Sequence, residues 1–475
     1  MLITDPGIPA RKRSGWDQPV WRMAFAAAFV LVGLKAAGVF HGHLAAAGAG
    51  WPQNTFLFKQ EIRFTDLKMT VDQANSSDPY YQDLAANYFP FVYWAFSFFR
   101  SMAYQPFLQL YFSLGLSLFA VSAVIGSGLA AWRRSQVWRG AVLVLAIGGT
   151  GLVVNAFWLA GGNGLAPWLT VLATTAIEAA AVFAVVLRGG LRQSVVLTLL
   201  TAAVLLANYP LVFGLDRGNV EVLLGALCLL SMVLLVRGYP WAAALILAPA
   251  IAVKGYPIAL CLLFAVRKET KAGLGAASIA LVLTLASFAL LPGGFIHNYE
   301  GLKGCLARFH QGFNAGHLQA YCADPLSGMR LYRAHAEFGA GIIDWSVRHY
   351  YTLSLSAFAL CALFALGARA PFHRKLLAMT LGMLMFPDVI LDYKLIHLVT
   401  ALVFMVYAQD AWEWRDILLF FGMLVLLIPK HYYYVHGDTS ISCLLSPLVL
   451  VAMFWLLLLD RRAWLPVPQL SLAAV

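Results

Sequence analysis

Four polar clusters interrupt an otherwise apolar chain, and each holds side chains able to move a proton or bind an anion. The first contains Phe64-Thr65-Asp66-Leu67-Lys68 and, further on, Asp78-Pro79-Tyr80. A carboxylate there can take the proton of an attacking hydroxyl. The second is Leu215-Asp216-Arg217-Gly218-Asn219-Val220-Glu221, in which the guanidinium suits a phosphate. The third is Ala252-Val253-Lys254-Gly255-Tyr256-Pro257. The fourth runs from Asp388 through Asp392, Tyr393 and Lys394 to His397. Each also has an ordinary reading. Asp66 and Asp78 suit turns or caps, Asp216 and Asn219 suit a helix start, and the fourth cluster suits a polar hairpin. Charges at a membrane boundary are costly unless paired or used, which favours a site.

The segments between these clusters are apolar runs near the length that crosses a bilayer, about 20 residues. They lie near 20–41, 106–131, 140–162, 168–187, 194–214, 219–236, 272–292, 350–368, 376–391, 395–409, 417–430 and 441–459. Unbroken runs select helices over the alternating strands of a barrel. The expected fold is an all-α polytopic membrane protein of about 12 spans, treated as one integral membrane domain over 1–475. The stretch 241–266 is an exception. Arg237 precedes it, Arg267, Lys268 and Lys271 follow it, and Gly255 and Pro257 interrupt it. It is expected to be a broken pair of half-helices returning to one side, with Lys254 near the bend.

Lys and Arg then set the orientation. Arg11, Lys12 and Arg13 place the N-terminus in the cytoplasm, and the count of spans returns the C-terminus there. The long loops 42–105 and 293–349 fall outside, and with them the first, second and fourth clusters. The first apolar run has no clear cleavage site and reads as an anchor. The aromatic run from Tyr88 to Phe99 suits a helix at the lipid headgroups.

Composition supports this reading. The chain of 475 residues is 61% hydrophobic and 12% charged, outside the range of soluble multidomain enzymes. The net charge of +11 is explained by basic inner loops and anionic headgroups, so no nucleic-acid partner is expected. No phosphate-binding glycine loop, dinucleotide fingerprint, H-E-x-x-H or C-x-x-C is present. His297, His310, His317, His335 and His349 crowd the second long loop at spacings matching no standard ligand set, so no metal is expected. Cys305 and Cys322 share that loop and could form a disulfide in an oxidising compartment.

The run Asp216 to Glu221 heads a helix followed by a basic turn. After it come an Ala-rich helix ending in Lys254-Gly255-Tyr256-Pro257 and a basic end at Arg267-Lys268. Together these resemble glycosyltransferase family 87, the polyprenyl-phosphate-mannose-dependent group of the GT-C superfamily. Asp392-Tyr393-Lys394-Leu395-Ile396-His397 is similar to the family's late segment, and Asp66 with Asp78-Pro79-Tyr80 to its first outer loop. The similarity covers about 60 to 410.

The resemblance implies inverting transfer of a sugar, mannose first, from a polyprenyl-phosphate donor to a lipid or glycan acceptor. It places that reaction on the outer face of the inner membrane, with no cofactor. Asp66 would be the base, with Asp78 in reserve. Arg217, Lys254, Lys394 and His397 would meet the donor phosphate, supported by Asp216, Asn219, Glu221, Asp388, Asp392 and Tyr393. Two other readings compete. A transporter or flippase of lipid-linked sugars would use the same cations without a base. A membrane scaffold would tolerate changes at Asp66, Arg217 and Lys254.

Overall fold

With no water to satisfy it, backbone in an apolar surrounding must bond to itself, and almost all the described residues are helical. The computed structural model describes residues 19–46, 64–80, 88–104, 207–315, 323–335, 337–387, 389–408, 412–430, 434–436 and 439–464, with parts of 107–119 and 200–205.

The helices are α1 (Pro19–Ala46), α2 (Thr65–Asn75), α3 (Pro90–Ser97), α4 (Tyr209–Arg217), α5 (Glu221–Val236), α6 (Pro240–Val253), α7 (Cys261–Val266) and α8 (Thr270–Leu290). Then follow α9 (Gly294–Ala315), α10 (Pro325–His335), α11 (Ala340–Arg348), α12 (Tyr350–Gly367), α13 (Phe372–Met385), α14 (His397–Tyr407), α15 (Trp414–Leu427), α16 (Ser442–Leu458) and α17 (Arg461–Trp464). Single 3₁₀ turns, Tyr256–Leu260 and Asp392–Ile396, lead into α7 and α14. One short antiparallel ribbon pairs Tyr434–His436 with Thr439–Ser440.

Among the described residues, three helices are long and apolar enough to cross a membrane: Pro19–Ala37 within α1, α8 and α12. Helices α5, α6 and α16 are apolar but shorter. The count of about 12 spans is therefore not reproduced among the described residues. The expected spans 140–162 and 168–187, and much of 106–131, lie outside them. The expected span 194–214 is corrected. Its helix stops at Asn208, whose side chain caps α4 by accepting the Leu211 N–H at 2.9 Å, with Pro210 in the first turn. The aromatic run expected as a helix forms α3, and the two long loops hold further helices, α2 in the first and α9, α10 and α11 in the second.

The stretch 241–266 breaks where the sequence indicates. Helix α6 ends at Lys254, and Lys254 Nζ meets Glu221 at the start of α5. At the other end of the same pair, Ser231 Oγ donates to the Ala243 carbonyl. Helix α6 therefore runs antiparallel to α5 along its length. The chain then turns back. A Cβ on Gly273 of α8 would lie 2.9 Å from Phe264 of α7, and one on Gly275 would lie 2.7 Å from Trp241 of α6. Both free ends of the broken pair thus meet the first turns of α8. Arg267, just after α7, stands over the Phe372 ring at the start of α13.

That end of the molecule is basic and tightly paired. Arg374 is held by Asp416 at 2.7 Å, Asp460 at 2.8 Å and Glu413 at 3.2 Å. Arg415 adds a second contact to Asp460 at 3.0 Å. Arg22 donates to the Ala408 carbonyl and stacks on Trp412. Helix α14 starts at His397 and finishes at Tyr407, so this cluster lies roughly 16 Å from the residues described next.

Candidate active site

Asp66 is the second residue of α2, in a first turn whose exposed N–H groups favour a carboxylate. The chain enters through Phe64, which takes a left-handed conformation, φ 58, uncommon for a residue with a Cβ. Its N–H donates to the Asp216 carbonyl at 2.7 Å. The two loops are thus docked backbone to backbone. Asp66 then faces the turn after α4. Arg217 Nη2 donates to Oδ1 at 2.6 Å, and Asn219 Nδ2 donates to Oδ2 at 2.7 Å. Burial disfavours the charge on Arg217, but the adjoining Asp66 carboxylate outweighs it and raises the guanidinium above its usual range.

Asn219 connects this pair to a second cluster, because its Oδ1 accepts the Glu221 N–H at 3.1 Å. Glu221 opens α5 and is fully buried. Lys254 Nζ lies 2.7 Å from its Oε1, and the Tyr256 hydroxyl donates to its Oε2. His397 Nε2 lies 3.2 Å from Oε2 and 2.9 Å from the Tyr256 hydroxyl. One buried carboxylate therefore gathers a lysine and a phenol from the helix break and an imidazole from the start of α14. Lys254 also stands over the Tyr88 ring, 4.7 Å from its centroid. The Phe89 N–H donates to the Val253 carbonyl, seating the first long loop on the helix break.

Lys394 reaches the same neighbourhood. Its Nζ donates to the Val389 carbonyl at 2.7 Å and lies 6.0 Å from the Tyr256 ring centre. Asp392 is buried and accepts from Ser442 at 3.0 Å, while Tyr393 packs on Phe213. The segment before them is pinned from the second long loop. Asp324 caps α10 through the Ser327 N–H at 2.7 Å, and its other oxygen accepts the Ile390 N–H at 3.2 Å. The Ala323 N–H donates to the Ile390 carbonyl at 2.6 Å.

The structure brings together Asp66, Arg217, Asn219, Glu221, Lys254, Lys394 and His397. Asp216 is buried beside them and contributes the carbonyl that receives Phe64. Asp78 is not among them. It follows the end of α2, whose last residue lies about 14 Å along the helix from Asp66, and pairs with His297 at 2.9 Å. Asp388 lies outside the described residues. Cys305 is a free, buried thiol whose Sγ meets the Tyr80 carbonyl at 2.9 Å. Its expected partner Cys322 lies outside the described residues, so the disulfide has no counterpart in the described structure. Among the described residues no group of three His, Cys, Asp or Glu is arranged to hold a metal ion.

Sequence reasoning missed Tyr256, which bridges Glu221 and His397, and Asp324, which anchors the 389–391 strap. Tyr256 stood in a motif already singled out, but beside Gly and Pro it read as part of a bend. It also assigned Arg217 to a phosphate and did not foresee that its Nη2 donates to Asp66.

Among curated proteins none matches the chain. A family model does. The model described as glycosyltransferase family 87 matches residues 151–391, just over half of the chain. The matched stretch includes Arg217, Asn219, Glu221, Lys254 and Tyr256, the turn and the helix break around which the site is built. The protein belongs to glycosyltransferase family 87.

Proposed function

We propose that this membrane glycosyltransferase moves a sugar, mannose first among candidates, from a polyprenyl-phosphate donor to a lipid or glycan acceptor. In this reading the inner membrane carries the chain as a single integral domain, both termini are cytoplasmic, and the site opens on the other face. The observation that carries the proposal is the convergence of one carboxylate, Asp66, with the cationic or protonatable groups Lys254, Lys394 and His397 around the turn 217–221.

The chemistry follows from these groups. Asp66 takes the proton of the acceptor hydroxyl as its oxygen attacks the anomeric carbon. The bond from that carbon to the phosphate oxygen breaks, and the electron pair leaves with the lipid phosphate. Attack opposite the leaving group inverts the anomeric centre. Lys254, Lys394 and His397 meet the charge that develops on the phosphate. Glu221 holds Lys254, Tyr256 and His397 in place. The lipid-linked sugar phosphate is itself the donor, so no cofactor enters. Asp392, Tyr393 and Asp216 are supporting groups that hold the segments carrying the site.

The test is sugar transfer in proteoliposomes from radiolabelled polyprenyl-phosphate-mannose to acceptors in a membrane lipid extract. Wild type transfers, and Asp66→Asn loses transfer by about a thousandfold while keeping its thermal midpoint. Full transfer by Asp66→Asn would remove Asp66 as base. Sugar-lipid movement across the bilayer without any transfer would support the transporter instead.

A further inference from the structure

We infer that the turn Arg217-Gly218-Asn219 is a cradle that positions the Asp66 carboxylate, and that Arg217 is a positioning residue rather than a ligand of the donor phosphate. The inference rests on Asp66 being the base of the proposed reaction.

Three independent observations carry it. First, both oxygens of Asp66 are engaged by this turn, Oδ1 by Arg217 at 2.6 Å and Oδ2 by Asn219 at 2.7 Å. Two donors on opposite oxygens fix the plane of the carboxylate as well as its place. A carboxylate has about four lone-pair directions, so each oxygen keeps one free for an incoming hydroxyl. Second, the backbone under Asp66 is tied to the same turn through the Phe64 N–H and the Asp216 carbonyl. That tie holds Phe64 in its left-handed conformation. Third, the loops approach as closely as a glycine allows. Gly218 has φ +68, and a Cβ on it would stand 2.6 Å from Leu67 Cβ. Any side chain at 218 would push α2, and Asp66 with it, off the turn.

Arg217 commits Nη2 to Asp66, and that pairing offsets the positive charge it could offer a phosphate. The guanidinium is half-buried against that carboxylate, with side-chain exposures of 22% and 15%. Lys254 and His397 share the Glu221 carboxylate, so neither has a carboxylate to itself, and Lys394 is held by a backbone carbonyl. Asn219 has a further consequence. Its other end accepts the Glu221 N–H, so the cradle for the base and the scaffold for the cations share one amide. The spacing between proton acceptor and phosphate site is therefore set within three residues.

The experiment measures kcat, donor KM and equilibrium donor binding for Arg217→Gln, Arg217→Lys and Gly218→Ala. All are full-length in proteoliposomes, with thermal midpoints as the check on folding. For Arg217→Gln the expectation is a fall in kcat of about a hundredfold with donor KM and donor affinity within about threefold. Arg217→Lys recovers part of the loss. Gly218→Ala keeps every charge and falls in kcat by about tenfold or more. A donor KM and donor dissociation constant raised about tenfold or more in Arg217→Gln, with kcat retained, would overturn the inference. So would full activity in Gly218→Ala. Should Arg217→Gln not fold, the lysine and alanine variants decide alone. Asp66→Asn separates the two failures. Transfer by that variant removes the base and the cradle together, whereas its inactivity beside a donor-binding defect in Arg217→Gln removes only the cradle.

Discussion

Tyr256 makes the most of a single hydroxyl. It donates to the buried Glu221 carboxylate and stands 2.9 Å from His397 Nε2, while its ring packs edge-on against the imidazole. Tyr256→Phe keeps the ring and removes the bridge. Transfer is expected to fall about tenfold to a hundredfold, with the thermal midpoint within a few degrees of wild type. Unchanged turnover would reduce Tyr256 to packing. At this scale the charged members of the site were legible. Asp66, Arg217, Lys254 and His397 stand out as costly groups at apolar boundaries. Their partners were not. Asp66 and Arg217 are 151 residues apart, and nothing in either motif says that they face each other. An arginine beside a membrane reads as an anion binder, and the sequence does not show that it faces a carboxylate. Tyr256 carries no charge and gave no such signal.

At the scale of elements, the break at Lys254 was legible because Gly and Pro interrupt an apolar run flanked by cations on both sides. The helices inside the long loops were not, since α9, α10 and α11 mix polar and aromatic residues without the length of a span. One of their junctions carries a pH signature. Burial pushes the Asp324 carboxyl up to about 6, against the hydrogen bonds from Ser327 and Ile390 that favour its ionised form. The folded protein therefore holds this proton where the unfolded chain has released it. Asp324's share of the unfolding free energy falls as pH rises from about 4 to about 6, by about 3 kcal/mol, and is level above. Asp324→Asn removes that slope. Thermal midpoints in detergent across this range check it, and a wild type that grows more stable over the same interval would refute it. The expected span 194–214 shows the limit of reading hydropathy alone. Its run is apolar throughout, but one asparagine followed by a proline two residues later starts a new helix.

Across the whole molecule, the two ends differ in kind. One gathers the loops and the site. The other is closed by Arg374 and its three acids, which join α13, the start of α15 and the chain after α16. The cluster is buried, so removing its centre strands negative charge. Arg374→Met is expected to cost about 3–5 kcal/mol of stability while leaving donor KM within about twofold in whatever protein folds. A variant as stable as wild type would show the cluster to be dispensable. The concentration of Lys and Arg at that end was legible from sequence, but nothing in the sequence pairs Arg374 with Asp416 or Asp460, 42 and 86 residues away. The order in which the ribosome delivers these groups matters. Asp460 lies 86 residues beyond Arg374. At about 5–20 residues per second, a nascent chain waits roughly 4–17 seconds between emergence of the arginine and of that partner. Through that interval the insertion machinery must shelter a half-finished bundle, and a transcript cut short before Asp460 would leave it permanently unlatched.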